Sequence, residues 1–254
     1  MPADAALAGR LSAASLDWIV PDWPAPARVQ AFSTTRSGPD GDAIDFAPKH
    51  PGVAAARALL RRFAPGEPLW LAQVHGTAIA SADVAHAHAP AADGAISRVP
   101  GQACAVLSAD CLPVLLADRG ASVVAAAHAG WRGLAAGVLE AAVGSMQARP
   151  SDVLAWLGPA IGPRAFEVGA DVYAAFCDRD ASARACFVAA GQGKWQADLY
   201  ALARRALARA GVGAAAIHGG GRCTFNEPGV FYSYRRGGTD REARMATLVW
   251  LAPA

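Results

Sequence analysis

Hydrophobic residues along the chain are grouped in short runs that have the length of β-strands, and residues typical of turns separate the runs. Some runs alternate apolar with polar residues and others are almost continuously apolar, which indicates strands buried on one face or on both. The segment WIVPDWPAPARVQAFSTTR combines proline with alternating apolar positions, so we expect it to enter the fold through edge strands. Further strands are predicted in PLWLAQVHGTAIASADV, QACAVLSAD, LPVLLAD, SVVAAAHAG, DVLAWLGPA and ARMATLVWLA.

Three other segments have apolar residues at the spacing of an α-helix. They are VAAARALLRRF, GLAAGVLEAAVGSMQ and DLYALARRALARAG. In the third, Asp198 is suited to cap the N-terminus of the helix and Gly211 to end it. Residues 40–52 are rich in Asp, Gly and Pro, and we interpret them as an irregular loop.

The order of these elements indicates one domain. Strands and helices intermix without the regular alternation of a parallel α/β fold, so we predict an α+β fold with mixed sheets. No repeat of fixed period is present, and no change of composition marks a linker. Residues 1–16 are Ala-rich and are predicted to form a loose N-terminal extension, and residues 17–254 to form the single domain.

Composition argues against several classes of protein. The 254 residues are 54% apolar and 17% charged, which is not typical of disorder. A net charge of +2 without a cluster of Lys and Arg argues against a nucleic-acid-binding face, and no apolar stretch approaches the ~18–20 residues that span a bilayer. The five cysteines lack framework spacing and the N-terminus lacks a signal-like pattern, so we expect reduced thiols in the cytoplasm. Nothing in the chain indicates a protein partner.

Three polar residues interrupt the apolar pattern at predicted strand ends. His75 lies in QVHG, Cys111 in ADCLPVLL and His128 in AHAGWRG, each near residues that form turns. Two imidazoles and a thiolate are good zinc ligands, and a fourth position left open is what a catalytic zinc site requires. The separations are long (111 − 75 = 36 and 128 − 111 = 17), so the fold must bring the ligands together. On spacing alone, a core cysteine and two hydrogen-bonded histidines are the commoner arrangement.

The same motifs resemble those of a known family. QVHG, ADCLPVLL and AHAGWRGL occur in this order, together with WIVPDWPAP, FSTTRSG, LGPAIGPRAFEVGADV, FYSYRRGG and ARMATLVWL. Over residues 18–252 the chain resembles the YfiH-type family, long labelled multicopper polyphenol oxidase or laccase-domain proteins and now associated with purine nucleoside phosphorolysis. The resemblance implies a layered sandwich of mixed β-sheets flanked by helices. It also implies that His75, Cys111 and His128 are metal ligands.

A function follows from this resemblance as an expectation. It implies zinc-dependent phosphorolysis of adenosine, inosine, guanosine and methylthioadenosine, with deamination of adenosine as an accompanying activity. The partners are then a purine nucleoside and phosphate. Zinc is expected rather than copper, because a multicopper centre needs many more histidines than the six in this chain.

Four further residues are candidates for roles in this chemistry. Arg36 in STTRSG and Arg132 in GWRG are suited to bind phosphate through charged hydrogen bonds. Deamination also needs a carboxylate that moves a proton, and Asp93 in ADGAIS and Asp110 beside Cys111 are the candidates. The predicted catalytic residues are therefore Arg36, Asp93 and Asp110.

Two other functions fit the same residues. Cys111 could act as a nucleophile with His75 or His128 as its base, in an amidase or hydrolase such as one that edits peptidoglycan precursors. A non-enzymatic interaction module stabilised by zinc is the other alternative, and it requires a fourth protein ligand.

Overall fold

The computed structural model describes residues 3–253 of the chain. Its α-helices are α1 (Ala3–Ala13), α2 (Val53–Leu60), α3 (Trp131–Ala136), α4 (Val138–Met146), α5 (Ala170–Cys177) and α6 (Leu199–Arg209). Its strands are β1 (Val29–Ser33), β2 (Ile79–Ser81), β3 (Gly94–Ser97), β4 (Cys104–Ser108), β5 (Leu112–Asp118), β6 (Val124–Ala129), β7 (Val153–Leu157), β8 (Glu167–Val168), β9 (Phe187–Gly191), β10 (Lys194–Ala197), β11 (Ile217–Gly219) and β12 (Met245–Leu251). Within residues 3–253, no helix has both the length and the hydropathy needed to cross a membrane.

The strands in this part of the chain form three sheets. The largest has the order β11-β7-β5-β6-β3-β2, and the others are β1-β12-β4 and β8-β10-β9. In the largest sheet the pairs β11–β7 and β2–β3 are parallel and the remaining pairs are antiparallel. The predicted α+β fold with mixed sheets is confirmed.

The sheet β1-β12-β4 has a hydrophobic core on both faces, and this arranges the molecule in layers. Along β12, Leu248 and Trp250 belong to one cluster of buried residues, and Val249 and Leu251 belong to another, as the two-residue period of a strand requires. The first cluster includes residues of α1 and α2. The second includes the fully buried strands β5 and β6, and β6 also packs against α4. The chain therefore has the layered sandwich that the resemblance implies.

The N-terminal segment differs from its prediction. Residues 3–13 form a helix instead of a loose extension, and Leu7 and Leu11 are buried in the same cluster as Phe32 and Trp250. The physical reason is the four-residue spacing of the two leucines, which places them on one face of a helix whose other residues are largely good helix formers. The division of the chain at residue 16 remains a prediction.

Most other elements agree with the sequence pattern. Helices α2 and α6, and strands β4 to β7 and β12, are confirmed. The side chain of Asp198 accepts a hydrogen bond from the N–H of Ala201 at 3.0 Å, as expected of a cap. The helix predicted after β6 is divided into α3 and α4 at Gly137, which has a φ of +102°. The long strand predicted over residues 68–84 is wrong except at Ile79–Ser81, because the chain turns at the QVHG motif instead of continuing.

Candidate metal centre and cavity

Three side chains that lie far apart in sequence meet at one end of the largest sheet. Strands β5 and β6 are antiparallel neighbours with Pro113 opposite His128, which brings Cys111 close to the end of β6. His75 reaches the same place from the turn before β2. Its Nε2 lies 3.9 Å from Cys111 Sγ, and the rings of His75 and His128 meet edge to face with centroids 4.9 Å apart. One potential ligand atom from each of the three residues lies within 4.8 Å of the other two.

These three donors fit a tetrahedral metal ion. Bonds of ordinary length from zinc to imidazole nitrogen and thiolate sulfur place two such ligand atoms about 3.6 Å apart, close to the separation between His75 and Cys111. Each donor is of a type that zinc prefers, and three ligands leave a fourth position for substrate. Within residues 3–253, no other group of three His, Cys, Asp or Glu side chains is placed to hold a metal ion.

Two glycines of the AHAGWRG motif allow the His75 turn to approach β6 and α3. A Cβ atom at Gly130 would lie 2.7 Å from His75 Cδ2 and 3.1 Å from Cys111 Sγ. A Cβ atom at Gly133 would lie 2.8 Å from the carbonyl oxygen of Gly76. Both contacts are too short for a side chain, so the motif needs glycine at these positions for the ligands to converge.

Asp93 lies behind the three candidate ligands. Its fully buried carboxylate accepts hydrogen bonds from the backbone N–H groups of Val74, His75 and Gly76 at 3.1, 2.9 and 2.6 Å. It also contacts His128 Nδ1 at 2.9 Å. This arrangement leaves Nε2 of His128 for the metal and holds the strained turn at His75, where φ is +59°. The predicted role of Asp93 as a proton carrier is therefore not supported by its position.

The ligands also shift one another's protonation equilibria. Burial raises the pKa of the Cys111 thiol, but its attraction to His128 and its hydrogen bonds to both histidines outweigh burial and hold that pKa at about 6. Burial lowers the pKa of His128, whereas the Cys111 thiolate and the Asp93 carboxylate raise it to about 9. At neutral pH the sulfur is therefore in the thiolate form, which is the form that binds metal.

The centre opens into a cavity of about 420 Å³. This volume lies within the range of small-molecule sites. His75, Cys111 and His128 contribute to the lining. Three aromatic side chains and three arginines line it as well: Trp131, Phe166, Tyr234, Arg132, Arg235 and Arg244. Within the part of the chain that the structure describes, none of these three arginines forms a salt bridge with a carboxylate.

Two of these arginines pack on aromatic rings of the cavity. The guanidinium of Arg132 lies 4.3 Å from the ring centre of Trp131, and that of Arg235 lies 5.2 Å from the ring centre of Phe166. Arg235 also donates a hydrogen bond to the carbonyl oxygen of Glu167 at 2.7 Å. Such contacts restrict the guanidinium groups without neutralising them.

Of the other three residues predicted to take part in the chemistry, two line the cavity and one does not. Arg132 and Asp110 are among the lining residues, whereas Arg36 is not. The Arg36 guanidinium donates to the carbonyl oxygen of Pro228 at 2.7 Å and pairs with Asp240 at 3.6 Å. Its predicted contact with phosphate therefore has no support from position and stays an untested prediction.

Sequence reasoning missed Arg235 and Arg244 as members of the cavity wall. Both lie in motifs that resemble family blocks, FYSYRRGG and ARMATLVWL, but several arginines occur near each of them. Which of these arginines reach the cavity depends on how residues 223–244 fold back over the sheet, and no periodic pattern in the sequence predicts that path.

Comparison with known proteins places this geometry in context. Residues 48–252 match the family model described as multi-copper polyphenol oxidoreductase laccase. The chain is 49% identical to a Pseudomonas aeruginosa protein named purine nucleoside phosphorylase, over 92% of this chain and 98% of that protein. It is 46% identical to the Escherichia coli protein named purine nucleoside phosphorylase YfiH, with the same coverage. The crystal structure of a Neisseria meningitidis DUF152 protein is similar with a TM-score of 0.88 and 42% identity, over 93% of this chain and 100% of that one.

Proposed function

Since the chain belongs to the multi-copper polyphenol oxidoreductase laccase family, which includes the YfiH proteins, we propose that it is a zinc-dependent purine nucleoside phosphorylase. Its substrates are a purine nucleoside (adenosine, inosine, guanosine or methylthioadenosine) and phosphate. The observation that carries the proposal is the joint presence, in one cavity, of three metal-ligating atoms, aromatic rings and arginines without carboxylate partners. The names of the relatives support the same reaction.

The reaction requires phosphate to be held beside the sugar. A phosphate oxygen forms a bond to the anomeric carbon while the bond from that carbon to the purine breaks. The electron pair leaves with the purine, which then takes up a proton. Arg132, Arg235 and Arg244 are the groups we assign to phosphate, because guanidinium groups bind phosphate oxygens through paired, charge-assisted hydrogen bonds. Their positive charge also offsets the repulsion of bringing an anion next to the Cys111 thiolate.

The purine is assigned to the aromatic wall. Trp131 and Phe166 line the cavity, where their aromatic surface is suited to contact a purine base. Such a wall also excludes water from the reacting bond.

Zinc is the metal we assign to His75, Cys111 and His128. Bound there, zinc would supply a Lewis acid in the cavity wall. Copper oxidation chemistry is a weaker candidate despite the family description, because a multicopper centre needs further ligand groups and residues 3–253 contain this one alone.

We also place the reaction in the cytoplasm. All five cysteines are free thiols in the structure, which suits a reducing compartment. No protein partner is proposed. Fractionation of cells that express a tagged chain would test the location, and recovery in an oxidising compartment would contradict it.

Product identification is the experiment that tests the proposed reaction. Zinc-loaded protein is incubated with adenosine, with and without phosphate, and the products are separated by chromatography. We expect adenine and ribose 1-phosphate only when phosphate is present. Inosine formed at the same rate with and without phosphate would indicate deamination as the main activity. The absence of both products would contradict the proposed function.

A cysteine hydrolase is a second candidate, favoured by one specific observation. The Cys111 thiolate lies against His128, and His128 is oriented by Asp93, an order of groups that also activates cysteine nucleophiles. Such an enzyme would cleave amide substrates, for example peptidoglycan precursors, after removal of the metal. Loss of all activity on chelation would contradict it.

A further inference from the structure

Asp110 lies where four segments of the chain meet beside the cavity. It precedes the metal ligand Cys111 and has a φ of +85°, a left-handed conformation that aspartate tolerates better than most residues. Its carbonyl oxygen accepts a hydrogen bond from the N–H of Ile161 at 3.0 Å. Through its side chain it contacts two more segments, around residues 224 and 233–235.

Both carboxylate oxygens of Asp110 are engaged by neighbouring groups. Oδ1 accepts from the hydroxyl of Thr224 at 2.5 Å, and Oδ2 accepts from the hydroxyl of Ser233 at 3.0 Å and the backbone N–H of Arg235 at 2.7 Å. Asp110 is 8% exposed, and no described cation forms a salt bridge with it. Three hydrogen bonds therefore balance the cost of burying this carboxylate.

We propose that Asp110 is a positioning residue that fixes Arg235 in relation to Cys111 and thereby sets the affinity for phosphate. The bond to the Arg235 N–H holds the backbone from which that guanidinium reaches the cavity. The next residue along the chain from Asp110 is a metal ligand, so one side chain links the phosphate contact to the metal centre. This assignment rests on the proposed function and replaces the sequence-based role of Asp110 as a proton carrier.

An asparagine at this position separates positioning from proton transfer. In Asp110→Asn the amide oxygen still accepts from Ser233 and Arg235, and the amide NH₂ donates to the Thr224 hydroxyl, which can accept in turn. The geometry is kept, whereas the capacity to carry a proton is lost. We expect kcat and the KM for phosphate to stay within about threefold of wild type, because the change in free energy is smaller than the contribution of one hydrogen bond. A proton carrier would instead lose about a hundredfold or more in kcat.

The partners of Asp110 provide the converse test. The double variant Thr224→Val with Ser233→Ala removes two donors but leaves the carboxylate in place. We expect the KM for phosphate to rise about tenfold, the loss typical of hydrogen bonds to a buried charge, with kcat and zinc content close to wild type. Asp110→Gly, which tolerates the left-handed φ, should raise that KM at least as much. Asp118→Asn, which changes a buried carboxylate at a turn away from the cavity, is the control for general destabilisation.

Phosphate binding to zinc-loaded protein is also measured by calorimetry, without turnover. A lack of phosphorolysis by wild type would contradict the proposed function, while calorimetry would still test the positioning role. The proposal is overturned if Asp110→Asn loses kcat by a hundredfold with unchanged phosphate binding. It is equally overturned if the double hydroxyl variant binds phosphate as tightly as wild type.

Discussion

Replacing Asp93 by asparagine would test how the metal ligands are held. Each carboxylate oxygen of Asp93 accepts two hydrogen bonds: Oδ1 from the His75 N–H and His128 Nδ1, and Oδ2 from the N–H groups of Val74 and Gly76. An amide has one acceptor oxygen, so either pair must lose its acceptor. If the NH₂ group faces His128, Nδ1 becomes an acceptor and the proton moves to Nε2, the atom that the metal needs.

Two losses are expected, one of folding stability and one of zinc affinity. One N–H group (His75) or two (Val74 and Gly76) lose their acceptor, depending on which way the amide faces, and at about 1–3 kcal/mol each metal-free Asp93→Asn should be about 1–6 kcal/mol less stable than wild type. Loss of a group that orients a metal-bound histidine typically weakens metal binding about 10- to 100-fold. We expect zinc affinity to fall within that range.

Asp118→Asn is the matched control. The carboxylate of Asp118 is also buried, and it accepts bonds from the backbone N–H groups of Gly120, Ser122 and Val123 and from the Ser122 hydroxyl, again two at each oxygen. It holds the turn between β5 and β6, at the opposite end of those strands from the metal ligands. Zinc affinity is measured by competition with a chromophoric chelator, and stability by urea unfolding of the metal-free proteins. Both variants should lose stability, but only Asp93→Asn should lose zinc affinity. Equal zinc affinities for the two variants would refute the reasoning.

Three further predictions concern phosphate, the thiol and pH. Arg235→Ala should raise the KM for phosphate about tenfold or more, whereas Arg36→Ala should change it less because that guanidinium lies outside the cavity wall. Steady-state kinetics showing the reverse order would favour Arg36 as the residue that binds phosphate. Iodoacetamide at neutral pH should modify Cys111 in metal-free protein before the buried Cys104, because burial raises the pKa of the Cys104 thiol. Zinc should protect Cys111, and peptide mapping that shows equal modification rates with and without zinc would contradict its role as a ligand. Burial raises the pKa of Asp93, but hydrogen bonds from His128 and from backbone N–H groups outweigh burial and lower that pKa. The Asp93 carboxylate therefore stabilises the folded state above about pH 4, and this contribution is lost as pH falls through the lowered pKa. Urea midpoints of metal-free wild type should therefore fall more steeply between about pH 5 and pH 3 than those of Asp93→Asn, and parallel curves would count against this account.

The central strands were predictable because their apolar sequences indicate that they are buried. LPVLLAD and SVVAAAHAG are nearly continuous apolar runs, as expected for strands covered on both faces, and they form β5 and β6. The small sheet β8-β10-β9 was not predicted, since most of β9 is exposed and the short strands show no alternation. Helix α1 was missed because its buried leucines, Leu7 and Leu11, stand in an Ala-rich segment.

The candidate site was predictable only in part, for a related reason. His75, Cys111 and His128 stand at the ends of apolar runs, and the family resemblance brings them together. The role of Asp93 depends on strand register: Gly94 pairs with Ala127, so the residue before Gly94 lies beside His128. Such pairing is a property of the folded sheet. A sequence identifies Asp93 as a candidate acid but does not show which donors its carboxylate meets.

The most direct test of the account measures zinc content and ribose 1-phosphate formation on the same preparations of wild type and Cys111→Ser. Serine keeps the approximate shape of cysteine but is a poor zinc ligand. We expect zinc content and activity to fall together, and excess zinc to restore part of the activity because both histidines remain. A serine variant that retains its full zinc content and yet forms no product would contradict the ligand assignment and favour Cys111 as a nucleophile.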